Sequence, residues 1–290
     1  MSNSIKTAGK KKHVSISHIF NYIILSLWAV TTIFPFYWIL VNSVKDSRVI
    51  YTNSFSLPKE FVFENYSKAW TAGADGINVL IAYKNSIIIS AIVTIAVILF
   101  AGMASFALTR YKFKGRNIIN SLVIGSLMFP VFSTIIPVYK LVLNVGLLNN
   151  LSAVILPQIA GNLAFAMVVL TGYLHSSPIE LEESAFLEGC NAFQVFYKII
   201  VPIAKPAFAT VAIFTFLWSY NDLFTQLFML KDVDKWTVNL MLNNIGNAKS
   251  PPKFGIQCAL IVMIVIPVLI VYIFLQKNII KGLTAGAIKG

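Results

Sequence analysis

Residues 175–205 carry Glu180, Glu182, Glu183 and Glu188, interleaved with the small residues Ser184, Ala185 and Gly189 and followed by Lys198. Carboxylates and small residues flanked by apolar ones form a surface that can rest on a membrane interface or dock in a protein cleft. Interface-resting helices are usually Lys/Arg-rich on their polar face, so the acidic balance favours the cleft. A second group, Trp218, Tyr220, Asn221 and Asp222, sets aromatic faces beside an amide and a carboxylate. It reads either as a polar cavity lining or hinge, or as a helix that ends with Asp222 in the headgroup zone. Neither group comes with a nucleotide or metal signature. The sequence has no G-x-x-x-x-G-K-[ST] loop and no H-E-x-x-H, and His13, His18 and His175 are scattered. Cys190 and Cys258 are the only cysteines, which excludes a disulfide scaffold.

The local sequence around the acidic group predicts two short helices. Ser177-Pro178-Ile179-Glu180 has the form of a capping box with proline at the first helical position. The helix then runs through Leu181, Glu183, Ala185, Phe186 and Leu187 to a stop at Gly189. Asn191 with Gln194 starts a second helix through Phe193, Phe196, Tyr197 and Ile200, which Pro202 and Pro206 end.

The rest of the chain is the frame that holds these groups. Its 290 residues are 57% hydrophobic and 12% charged, with a mean hydropathy of +0.77. A single soluble domain has roughly a quarter of its residues charged, so this composition excludes one, and it excludes disorder equally. The charge-free windows are 13–44, 85–109, 117–139, 141–179, 206–221 and 254–276. A helix needs ~20 mostly apolar residues to cross a bilayer. The windows therefore predict an all-α membrane protein with six transmembrane helices, at 19–40, 86–108, 118–139, 151–174, 207–227 and 256–275. Asp222 lies roughly 24 Å along its helix from Pro206, beyond the midplane. The Lys-rich start, with Lys6, Lys10, Lys11 and Lys12, precedes an apolar stretch with no small-residue cleavage boundary. A retained first helix is expected rather than a cleaved signal peptide.

With both termini in the cytoplasm, 13 Lys/Arg and 4 acids lie inside, net +9, and 10 Lys/Arg and 7 acids lie outside, net +3. The clearest marker of this N-in/C-in arrangement is Arg110, Lys112, Lys114 and Arg116 in one short loop. The net +12 is thus a topological signature, and nucleic acid is not an expected partner. The expected organisation is a basic cytoplasmic segment, 1–16, and one membrane domain, 17–290, with the 175–205 loop between spans 4 and 5. The spans hold almost no ionisable residues of the kind that relay protons or ions in secondary transporters. Either the protein is a passive pore or another component supplies the energy.

Glu183-Ser184-Ala185-x-x-Glu188-Gly189-Cys190, followed by Phe196-x-x-Ile199-x-x-Pro202-x-x-x-Pro206, resembles the EAA motif of binding-protein-dependent ABC importer permeases. The family form, E-A-A-x-x-D-G-A and then I-x-x-P, differs here by Ser184 for Ala, Glu188 for Asp and Cys190 for Ala. Within that family, the C-terminal Leu283-Thr284-Ala285-Gly286-Ala287, Pro35-Phe36-Tyr37-Trp38, the 104–116 stretch ending in Arg116, Ile136-Pro137-Val138-Tyr139 and Trp218-Ser219-Tyr220-Asn221-Asp222 resemble the maltose-type carbohydrate permeases, smaller subunit. The likeness runs from about residue 17 to the end.

The resemblance implies a transport subunit rather than an enzyme, in a bacterial or archaeal cell (inner) membrane. It implies a cytoplasmic ATPase dimer that binds the ATP, a second homologous permease, an extracytoplasmic solute-binding protein, membrane lipid and a carbohydrate substrate. No cofactor is expected on this chain. Coupling to the ATPase would fall to Glu183, Ser184, Ala185, Glu188, Gly189, Ile199 and Pro202, and the substrate path to Trp218, Tyr220, Asn221, Asp222 and Asn162. The loops 46–84 and 231–253 are candidates for docking the binding protein. A permease for amino acids, polyamines or phosphate would share the acidic loop. A channel or scaffold would have no use for it.

Overall fold

The computed structural model describes residues 16–71, 78–247 and 253–287. The basic residues 1–15, the stretches 72–77 and 248–252, and the last three residues, 288–290, lie outside the described residues. Among the described residues there are helices and no strands.

In chain order the helices are α1 (Ile16–Ser43), α2 (Ser47–Thr52), α3 (Glu64–Thr71), α4 (Val79–Arg110), α5 (Arg116–Ser126), α6 (Val131–Asn144) and α7 (Leu151–His175). Then come α8 (Glu180–Leu187), α9 (Ala192–Val195), a π-helical turn (Phe196–Ile200), α10 (Val201–Ile203), α11 (Lys205–Asn221) and α12 (Phe224–Met229). A 3-10 turn (Val233–Lys235), α13 (Val238–Asn247) and α14 (Phe254–Ala287) complete the fold. Two of the long helices, α4 and α7, start on asparagine caps. Asn78 Oδ1 accepts from Leu80 N at 2.8 Å and Asn150 Oδ1 from Ser152 N at 3.0 Å, each satisfying a first-turn donor.

Among the described residues, three helices are long and apolar enough to cross a bilayer: Phe20–Ser43, Val79–Arg110 and Leu151–His175. The pair Ala192–Ile203 and Lys205–Asn221 meets the same requirement as one unit bent by 81°. Two stretches expected as continuous spans are broken. The 118–139 stretch divides into α5 and α6, because Pro130, in an extended conformation, has no N–H to continue the first helix and disfavours helical geometry at Phe129. The 207–227 stretch stops at Asn221, where extended Asp222 caps α11 and α12 begins two residues later. The 117–139 window does not register the first break, which lies inside apolar sequence, whereas the 206–221 window ends where α11 ends, and only the extension of that span to 227 runs past the break.

α4 is the central strut and packs along both α7 and α11, while α14 packs on α1, α3 and α11. The larger core joins Ile89, Val93, Val97 and Ala101 of α4 to Ala166 and Leu170 of α7, and to Phe208 and Val211 of α11. Small residues allow these helices to approach closely, as is usual between membrane helices. A Cβ on Gly102 would stand 2.8 Å from Phe208 Cε1 and 3.3 Å from Phe196 Cζ. A smaller core joins Val79, Ala82, Tyr220, Val238, Met241, Ala259 and Leu260. Where α14 begins, a Cβ on Gly255 would meet the carbonyl oxygen of Lys45 at 2.5 Å.

Large apolar side chains cover much of the outside. The apolar part of α1 buries none of its residues within the chain, only Asn42 and Ser43 at its end being buried, and Trp28 is 72% exposed. α5 likewise has no buried residue. Contiguous apolar surface of this extent belongs in lipid or against other helices.

Candidate functional site

The 175–205 loop is a tip carried on an anchored base. Its first turn departs from expectation: Ser177 does not cap α8. Ser176 N and Ser177 N donate to Tyr173 O and Leu174 O, so Ser177 closes α7 instead. Its hydroxyl is buried with no partner, and Ile179 takes the cap position, accepting from Glu182 N and Glu183 N. The end of α8 matches the sequence. Gly189 has a φ of +85°, its N–H donates to Phe186 O, and Cys190 N donates to Ala185 O, each at 3.0 Å. This is the Schellman arrangement, which needs a left-handed residue at that position. Asn191 and Gln194 then form a reciprocal capping box, at 2.8 and 2.9 Å.

Pro202 does not end the second helix. The π turn at Phe196–Ile200 precedes it, helical geometry continues to Ile203, and Ala204 N reaches Ile200 O at 2.8 Å. Such turns accommodate a break in the ordinary helical ladder. Pro206 stands in the first turn of α11, where its missing N–H costs nothing.

Burial divides the loop. Ala185, Val195, Phe196 and Ile200 are buried against α4, α7 and α11, and Ile199 packs beside them. Tyr173 OH donates to Ile203 O at 3.0 Å. Glu183, Ser184, Glu188 and Gly189 are exposed, as are Leu181, Phe186, Leu187 (90%) and Phe193. Pro202 is exposed below the tip. The expected coupling residues therefore fall into an outward group and a seating pair, Ala185 and Ile199.

Glu182 escaped the sequence reading. It is buried, and its carboxylate takes a two-pronged contact from Arg110, the last residue of α4. Nε lies 2.7 and 2.9 Å from the two oxygens, and Nη2 lies 2.6 Å from Oε1. The available signal was position: Glu182 shares the face of Ala185 three residues on.

The second group lies where α11 ends. Asp222 accepts from Gln158 Nε2 at 2.7 Å and from Thr225 N at 3.1 Å. Gln158 Oε1 accepts from Ser219 Oγ at 2.5 Å, and Asn162 Nδ2 donates to Gln158 O at 2.7 Å. The network continues through Gln226 to Thr237. Beside it, Trp218 (45% exposed) meets Phe165 edge-on at 4.7 Å and Phe214 at 5.8 Å. Asn162 and Phe165 on α7, and Phe214, Trp218 and Asn221 on α11, follow helical spacing along two adjoining faces. Tyr220 is not part of this surface. It is 1% exposed, in the smaller core, with its ring stacked on Phe216. Its position two residues from Trp218 puts it on a different side of the helix. No group of three or more potential metal ligands occurs among the described residues.

A family model described as "binding-protein-dependent transport system inner membrane component" matches residues 93–284. The chain belongs to this family. The permease is 33% identical over 280 residues to the diacetylchitobiose uptake system permease protein NgcG of Streptomyces coelicolor, covering 96% of this chain and 90% of that one. It is 30% identical to the galactooligosaccharides transport system permease protein GanQ of Bacillus subtilis (94% and 95% covered). It is also 30% identical to the trehalose/maltose transport system permease protein MalG of Thermococcus litoralis (91% and 94% covered). A chain in the crystal structure of a bacterial ABC transporter that imports the acidic polysaccharide alginate has the same fold. Its TM-score is 0.79 at 24% identity, covering 90% of this permease and 96% of that chain. The permease is accordingly an inner-membrane transport subunit of an ABC importer and not an enzyme.

Proposed function

We propose that this permease imports a sugar or oligosaccharide, handed over by an extracytoplasmic binding protein and driven by a cytoplasmic ATPase dimer that contacts the 175–205 loop. The observation that carries this reading is the loop itself: an exposed acidic and apolar tip on a base buried among α4, α7 and α11. Residues 17–290 form one membrane domain with six crossings and both termini in the cytoplasm. In this arrangement α5 with α6 makes the third crossing, and the apolar part of α14, Phe254–Ile270, makes the sixth. ATP is bound by the partner ATPases, and this chain holds no cofactor. The exposed apolar faces of α1 and α5 suit a second, homologous permease and surrounding lipid.

The mechanism follows from the tip's construction. Closure of the ATPase dimer displaces α8, with Glu183 and Glu188 making charge-assisted contacts in the ATPase cleft. Gly189 holds the angle between α8 and α9, so the displacement passes to the seated half of the loop and on to the bundle. The bundle then exchanges outward- and inward-open states whose populations ATP binding biases. The relatives' oligosaccharide names support a carbohydrate cargo. The Phe165/Trp218 surface beside Asn162, Asn221 and Asp222 offers ring faces with a few hydrogen-bonding groups, a suitable lining for hydroxyl-rich solutes. The loops 46–84 and 231–253 face the binding protein. In the second loop, hydrogen bonds from Lys235 and Asn149 hold the Asp232 carboxyl below the ordinary carboxylate range.

The test is to purify the tagged permease from its native membrane and assay it in proteoliposomes. An ATPase and a second permease should accompany it, and oligosaccharide with binding protein should stimulate ATP hydrolysis. A self-sufficient homo-oligomer contradicts the proposal. In the same assay Trp218→Ala should cut uptake by at least about fivefold, given about 1–3 kcal/mol for a hydrophobic contact to substrate. Unchanged uptake at all sugar concentrations removes this surface from the path.

A further inference from the structure

We infer that the Arg110–Glu182 ion pair is the positioning element that passes motion of α8 into the membrane bundle through α4. This rests on the reading of the 175–205 loop as the ATPase contact.

The two halves of the loop are held differently. The second half is held by packing: Phe196 lies 5.7 Å from Phe106 of α4 between ring centroids, and its ring tip closes over Gly102. α8 instead reaches α4 through a salt bridge. Arg110 ends α4 and Glu182 is in the first turn of α8, so each charge opposes the dipole of its own helix end favourably. The side chains are 11% and 4% exposed, and Arg110 Nη2 also reaches Ser177 O at 3.4 Å, where α7 ends. The guanidinium therefore joins three elements at one point.

A buried ion pair is a poor choice for stability alone, since an apolar pair of similar volume often does as well. It does fix direction, because a two-pronged guanidinium–carboxylate contact tolerates little sliding or rotation. Of the four acids in the loop, Glu180, Glu183 and Glu188 are exposed and Glu182 alone is turned inward. Toward the other end of α4, roughly 38 Å from Arg110 by helical rise, Asn85 Nδ2 donates to Asp234 O and Trp236 O at 2.9 and 3.0 Å. Ser86 Oγ there accepts from Val238 N at 3.1 Å. α4 is thus fastened by polar contacts at both ends, to the tip helix at one and to the 231–253 loop at the other.

The test uses the full complex in proteoliposomes, with Glu182→Gln, Arg110→Gln, Arg110→Glu and the exchanged pair Arg110→Glu/Glu182→Arg. Uptake and ATP hydrolysis are measured together, and ATPase retention is checked by co-purification. With the ATPase retained, Glu182→Gln and Arg110→Gln should lower uptake per ATP hydrolysed by about tenfold, within the usual span of coupling between sites. The exchanged pair should recover most of what Arg110→Glu loses, which a role in folding bulk alone would not produce. Unchanged uptake per ATP, an exchanged pair no better than Arg110→Glu, or loss of the complex in every variant overturns the inference. A photo-cross-link from Ser184→Cys to the ATPase separates the two readings. If it forms while uptake per ATP is unchanged in Glu182→Gln, only the ion-pair inference fails; if it does not form in the intact complex, the loop reading fails.

Discussion

Gly189→Val should abolish most ATP-driven uptake while the permease still reaches the membrane. Gly189 has a φ of +85°, and a Cβ placed there meets no atom within 4 Å, so the effect is one of backbone conformation and not of crowding. A left-handed conformation costs an ordinary L-residue roughly 1–2 kcal/mol. Relaxing it gives up the bonds from Gly189 N to Phe186 O and from Cys190 N to Ala185 O, and swings α8 away from the angle set by α9. The expected loss is ten- to a hundredfold, in the range of coupling free energies between distant sites. Gly189→Asn is the control, since asparagine takes the left-handed cap position readily, and it should retain most uptake. Transport rates normalised to permease in the membrane fraction decide the matter. Equal losses in the two variants would shift the cause from conformation to side-chain bulk.

Gln158→Leu should loosen the contact between α7 and α11 by about 1–3 kcal/mol, the usual consequence of leaving buried polar groups without partners. Gln158 is 6% exposed and bonds both Asp222 and Ser219. Leucine leaves the Ser219 hydroxyl without its partner and removes one donor from the Asp222 carboxylate. Asp222→Asn should be much milder, because the amide oxygen still accepts from Gln158. The midpoint of thermal unfolding of the detergent-solubilised complex measures both. If Gln158→Leu leaves it unmoved, the network at the α11 break is not a structural tie.

Features legible in the sequence were local ones. The Gly189 stop and the Asn191/Gln194 box are decided within four or five residues, and both are present. Ser177 was equally local but faced a competition: the end of α7 and the start of α8 lie so close that one residue cannot serve both, and α7 takes it. The charge-free windows place α1, α4 and α7, and the 206–221 window ends where α11 does, yet the 117–139 window is blind to Pro130, where the chain breaks without a change in hydropathy. Tyr220 belongs with Trp218 in the sequence but not in space, because two residues along a helix turn a side chain through most of a half-circle. The partner of Glu182 is 72 residues away. A single sequence carries no sign of such a pair, although a lone buried carboxylate three residues before a buried alanine requires one.

The claim on which the rest depends is that the 175–205 tip meets the ATPase. A photoactivatable thiol probe on Ser184→Cys, in a permease with Cys190→Ser and Cys258→Ser, tests it in the intact complex. The account predicts an adduct between permease and ATPase whose yield changes on ATP binding. An intact, ATP-hydrolysing complex that gives no such adduct, with the probe reacting only with lipid or the second permease, would contradict it.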